Sequence, residues 1–247
     1  MKKIGRAILT IILLFAVAVC GFELREISAQ YSSESKIKEE LSKYRPKQTN
    51  KMQTNSDETN QAAASEKIVN QSVIDIRYEI NGDIIGWLTV PNTRIDYPVV
   101  IAADNDFYLR RNIYKEPMIS GSIFMDYRCD KNFSCFNTVI YGHNMKNGSM
   151  FGDLKLFADP DFFESNTSGT LFTENNIYTL EIFAYMVVKS DDMLIYNPSS
   201  DREEFFEYIK RYARRYREHA AAESVVTLST CAYEYEGARM VLLAVIK

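Results

Sequence analysis

Three residues far apart in the chain have the types that nucleophilic acyl chemistry requires. Cys231 ends the run SVVTLSTC at 224–231, in which Val225, Val226, Thr227 and Leu228 read as a buried strand. After a polar break, AYEYEG, the run ARMVLLAVIK follows, with Arg239 at its start. A hairpin-like return would put the guanidinium near the sulfur, where a permanent cation favours thiolate over thiol. A buried structural cysteine is the other reading of such a residue. His143 weighs toward chemistry, because it directly follows Gly142 at the end of the apolar strand 138–141, in NTVIYGHNMKNGS. It is one of only two histidines. Imidazole is the side chain suited to hold or deliver a proton near neutral pH beside an attacking thiol.

TLSTC with a downstream arginine and an upstream YGHN resembles the sortases, Gram-positive cell-surface transpeptidases, and class B in particular. The resemblance runs from Asn81 to the C-terminus through NGDIIGWLTVPNTRIDYPVV, DNDFYL, SGSIFMDYR and FAYMVV, in that order. It implies a cysteine transpeptidase that cleaves an NPQTN-like C-terminal sorting signal of exported proteins after threonine, through a thioester, and passes the protein to an amine of a peptidoglycan precursor. Cys231 would be the nucleophile and His143 the acid that protonates the leaving amine. Arg239 would donate to the oxyanion or to the substrate backbone. By their place in the matched segments, Asn105, Leu109, Tyr141, Leu194, Ser229 and Thr230 are expected in the substrate groove. Met193 and Ala232 depart from relatives that carry an aromatic and an acidic residue there. Neither a metal nor an organic cofactor is called for. Two other classes stay open: a secreted cysteine peptidase that passes the acyl group to water, and an anchored wall-binding module whose cysteine is merely buried. Papain-like peptidases place Cys before His, the reverse of this order.

The elements that must carry these groups read as mainly β. Candidate strands at 84–90, 94–101, 121–127, 138–141, 169–173 and 177–188 precede the last pair. Together they imply a closed or nearly closed antiparallel-rich barrel, and the resemblance implies a sortase-like closed β-barrel of about eight strands. A helix at 66–80, with Ile68, Val69, Val73, Ile76 and Ile80 on its apolar face, would form an N-terminal extension. A short amphipathic helix is expected in SMFGDLKLF. One long helix, 202–219, is expected before the catalytic strand, with Asp201 as its cap and Glu204 three residues on. Its cations, Lys210, Arg211, Arg214, Arg215 and Arg217, read as a solvated face. His219 reads as solvent-facing at its end. Trp87 reads as core.

Upstream, 1–6 is basic and 7–24 reads as a transmembrane signal-anchor, although its apolar run, 7–22, is short of the roughly 20 residues that a span needs. A cleaved signal peptide competes with that reading. The expectation is a single-pass membrane protein with segment 1–6 cytoplasmic, an extracellular stalk at 25–65, polar and linker-like from 46, and a catalytic domain at 66–247. PKQTN at 46–50 and MQTN at 52–55 resemble the sorting signal itself. A net charge of −4 gives no reason to propose nucleic acid as a partner. Cys129 and Cys135 flank the loop DKNFS, either closed by a disulfide or as two free thiols.

Overall fold

The last two strands show how a run of apolar residues becomes a wall with two cores. In a strand, successive side chains point to opposite faces. Val226 and Leu228 of β8 (Val225–Cys231), with Met240, Leu242 and Ala244 of β9 (Ala238–Ile246), enter one cluster together with Leu88, Ile95 and Phe157. Val225, Val241, Leu243 and Val245 enter another, under Phe205 and Ile209. Both faces are covered, so the sequence runs continuously apolar instead of alternating.

The structure is a computed structural model and describes residues 2–47, 70–220 and 222–247. The remaining strands are β1 (Ile84–Thr89), β2 (Asp96–Val100), β3 (Ile123–Met125), β4 (Asn137–Tyr141), β5 (Ser168–Thr173), β6 (Ile177–Lys189) and β7 (Arg215–Tyr216). They form one sheet in the order β5-β1-β2-β3-β4-β8-β9-β6-β7, and a further β5–β6 pairing closes eight of them into a barrel. Closure removes the open edges that such strands would otherwise expose. β7 is an added strand on β6. Trp87 is 2% exposed and donates its Nε1–H to Asp96 Oδ1 at 2.8 Å, as a core aromatic with a polar handle does.

Two compact units make up the described residues, one ending at Lys43 and one starting at Tyr44. The first unit is built on α1 (Lys2–Leu41), one helix that passes straight through the boundary expected at 24/25. The single-pass anchor expected of 7–24 needs correction. Among the described residues no helix is long and apolar enough to cross a membrane. The physical reason lies in the flanks: Lys2, Lys3 and Arg6 stand before the apolar run and Glu23, Arg25 and Glu26 after it, leaving fewer than the roughly 20 apolar residues required.

In the second unit α2 (Gln71–Glu79) buries Val73 and Ile76, and Arg77 pairs with Glu174 at 2.7 Å. The expected start of this helix at 66–69, most of the linker and the signal-like words at 46–55, apart from Pro46 and Lys47, lie outside the described residues. The segment after His143 is a 3-10 helix, Gly152–Ala158, followed by α3 (Pro160–Ser165).

α4 (Arg202–Tyr212) starts as expected, with the Asp201 carboxylate accepting from Glu204 N at 2.9 Å, but it ends seven residues short of 219. The cations at 214, 215 and 217 offer a continuing helix no apolar stripe, whereas β6 has an edge free at Ala184 and Tyr185. Extended backbone takes that edge, pairing Ala184 with Tyr216 and Tyr185 with Arg215. His219 is thereby turned back over Phe183 and Phe206, with ring centroids at 4.5 and 4.8 Å, so it is half-buried rather than solvent-facing.

Candidate active site

Strand register sets the site. β8 and β9 are antiparallel with Cys231 opposite Arg239. β4 runs parallel to β8 on its other side, with Tyr141 beside Ser229. The two chain segments leaving β4 and β8 stay stitched together: Gly142 N donates to Ser229 O at 3.2 Å, Thr230 Oγ1 to Gly142 O at 2.7 Å, and Asn144 Nδ2 to Cys231 O at 2.8 Å. His143 sits inside this stitching. Cys231, His143 and Arg239 all line one cleft of ≈ 350 Å³.

The imidazole has a definite partner, as His143 Nε2 lies 2.6 Å from Leu109 O. A carbonyl can only accept, so Nε2 carries a proton in this arrangement. Leu109 O is held in place by a close backbone approach. Gly121 has φ 57, and a Cβ built there would stand 2.5 Å from Leu109 O and 2.7 Å from Tyr108 O. Gly121→Ala is therefore expected to push this carbonyl off His143 and to strain the turn. A fall in kcat/KM of roughly tenfold to a hundredfold should accompany a lowered thermal midpoint. An unchanged rate would separate Leu109 O from the positioning of His143.

Arg239 NH1 donates to its neighbour's carbonyl, Ala238 O, at 3.0 Å, which steers the guanidinium from its own strand. Beyond the hairpin, Arg214 and Glu234 form a bidentate pair at 2.8 and 2.5 Å that ties the β8–β9 loop to the segment before β7.

Of the expected groove residues, Asn105, Leu109, Tyr141, Ser229 and Thr230 line the cleft with the three reactive groups. Leu194 is not among the lining residues and must be corrected: it packs against the cluster that holds Phe205 and Ile209. Asp192 explains the difference, because its Oδ1 accepts from both Leu194 N and Ile195 N at 3.1 Å and folds this turn inward. Met193, 75% exposed, takes the place at the cleft wall.

The floor was not foreseen as a unit. Asp126 is fully buried and accepts from Tyr141 Oη at 2.9 Å and Asn105 Nδ2 at 3.1 Å. Arg128 grips the same carboxylate through Nε at 2.9 Å and NH2 at 2.7 Å, and NH2 also reaches Tyr196 O at 2.7 Å. Tyr196 in turn bonds Ser229 Oγ at 2.9 Å and stacks on Tyr141. Burial works against the charge on Asp126, yet the Arg128 bonds, with those of Tyr141 and Asn105, hold its carboxyl below the ordinary carboxylate value. Burial pushes the Tyr196 phenol up to about 12, so it stays neutral. The Asp-x-Arg spacing in SGSIFMDYR was the available signal for this floor.

A sortase domain model matches residues 88–247, more than half of the chain. Sortase B of Listeria monocytogenes is 38% identical over 171 residues, covering 66% of this chain and 70% of that protein. Among solved structures, Bacillus anthracis sortase B is 32% identical with a TM-score of 0.69, covering 88% of this chain and 98% of that one. A complex of Staphylococcus aureus sortase B with its substrate is 26% identical with a TM-score of 0.66, covering 72% and 86%.

Proposed function

Because the chain belongs to the sortase family, as a class B-type cysteine transpeptidase that anchors surface proteins, we propose that its chemistry is carried by Cys231, His143 and Arg239. The observation that supports this assignment is the convergence of these three side chains in one cleft at the ends of β4, β8 and β9. The partner is a sorting-signal peptide. Its scissile bond, on this reading, follows the threonine of an NPQTN-like signal.

Cys231 as thiolate attacks the threonine carbonyl carbon, and the electron pair of the C=O moves to oxygen. Arg239 donates N–H bonds to that oxyanion as it forms. Collapse expels the downstream amine, which takes its proton from His143, and leaves a thioester on Cys231. An amine of a peptidoglycan precursor then attacks the thioester carbonyl, gives a proton to the now neutral His143 and releases the Cys231 thiolate, which restores the starting protonation. Asn105, Tyr141 and Ser229, fixed by the Asp126–Arg128–Tyr196 floor, supply polar groups on which the signal peptide is aligned. Met193 contributes an apolar edge to the cleft.

The test is partitioning. A threonine-containing signal peptide is incubated with the full chain, with and without an added primary amine. The product is expected to shift from free acid to the amide of the added amine, while peptide consumption stays constant or rises. Exclusive hydrolysis at every amine concentration would make the chain a peptidase in function.

A further inference from the structure

We propose that Cys129 and Cys135 are a disulfide-forming site whose oxidation locks the β3–β4 loop and, through it, the Asp126–Arg128 floor of the cleft. Both cysteines are free thiols in the structure, Cys129 buried and Cys135 half-exposed. The five residues between them form a tight turn organised by one side chain. Asp130 Oδ1 accepts from Asn132 N at 2.8 Å, Asp130 Oδ2 from Ser134 Oγ at 3.1 Å, and Asp130 O from Phe133 N at 2.9 Å. Phe133 adopts φ 59 and is buried, 5% exposed, in the same core cluster as Cys129. The turn thus delivers Cys135 back to its partner. Its sulfur accepts from Asp130 N, the amide joined directly to Cys129, at 3.1 Å.

What the pair would control follows from its neighbours. Cys129 adjoins Arg128, and its N–H donates to Asp126 O at 2.9 Å, while its sulfur lies 3.7 Å from Asn137 O at the start of β4. A covalent link here would restrain the segment that carries both floor residues without touching Cys231. The chemistry needs an oxidant, and a small-molecule disulfide is sufficient. Cys135, the accessible sulfur, exchanges first to a mixed disulfide and releases one small thiol. Cys129 then attacks the Cys135 sulfur and expels the second. Two protein thiols are oxidised, one external disulfide is reduced, and both protons leave on the released thiols. Burial, together with the adjacent Cys135, pushes the Cys129 thiol up from its ordinary value, which makes the second exchange the slow one.

The effect on the cleft rests on the proposed peptide site, so the experiment separates the two. Full chain carrying Cys231→Ala is treated with oxidised glutathione and mapped without reduction by mass spectrometry. A Cys129–Cys135 linked peptide is expected, with a thermal midpoint about 5 °C above the reduced protein. Preorganisation of the floor should also tighten binding of a sorting-signal peptide by about threefold. Adding Cys135→Ser should remove the link and both shifts. Glutathione left on Cys135 with no link, or a linked form whose midpoint and affinity equal those of the reduced protein, would overturn the proposal. Cleavage of the same peptide by reduced, unsubstituted chain reports on the cleft itself. Normal linkage and midpoint shift without any such cleavage would fault the cleft reading and uphold the pair.

Discussion

Replacing Cys231 by alanine is expected to abolish peptide cleavage while leaving the barrel standing. The residue is half-exposed at a strand end, so removing its sulfur opens no sealed cavity. Its structural bonds are made by backbone: Asn144 Nδ2 reaches its carbonyl, and its pairing with Arg239 is a ladder contact. The substitution therefore removes the nucleophile and little else. Loss of the residue that forms the covalent intermediate should lower kcat by about 10⁴-fold or more, down to the background of the assay. Thermal midpoint and peptide affinity should stay near those of the parent. Steady-state kinetics with calorimetry on the same preparation checks both halves. Persistence of cleavage would return the cysteine to a merely structural role.

Arg239→Lys is expected to be nearly as damaging, although it keeps the charge. The guanidinium bonds Ala238 O at 3.0 Å and still has further N–H groups to offer the cleft. A lysine ammonium is a point charge on a flexible stem and cannot reproduce that fork. If Arg239 serves the oxyanion, the loss is made in the transition state, so kcat should fall roughly 100- to 1,000-fold with a much smaller change in KM. A rise in KM alone would assign Arg239 to ground-state binding of the signal peptide. Single-turnover measurement separates these outcomes, because acylation is then observed directly.

Much of the frame was legible because the barrel strands are covered on both faces and so declare themselves as apolar runs. The Cys231–Arg239 juxtaposition needed only the assumption of a hairpin, since a six-residue break between two strands leaves the chain few other returns. The parallel pairing of β4 with β8, which brings His143 in, is not a local property. No periodicity within 137–141 encodes it, and the family resemblance singled out His143 itself rather than this pairing.

Two of the misses, the end of α4 and the Asp126–Arg128 floor, depend on partners distant in sequence, whereas the other two are local. The end of α4 is decided by the open edge of β6 and by Phe183, which draws Tyr216 and His219 back. The choice of Met193 over Leu194 at the cleft depends on how Asp192 caps its turn. Asp126 and Arg128 are two apart on the chain, but their use as a floor depends on Asn105, Tyr141 and Tyr196 arriving from three other segments. The expected anchor failed on length, as the 16-residue run 7–22 between charged flanks is too short.

The most direct measurement is intact-protein mass spectrometry of the full chain after brief incubation with a threonine-containing sorting-signal peptide, quenched in acid. A mass increase equal to the peptide's N-terminal part through threonine, mapped to Cys231 and discharged by an added amine, is the predicted result. A chain that cleaves the peptide yet carries the adduct elsewhere, or that never acquires one in a single-turnover time course, would contradict the assignment.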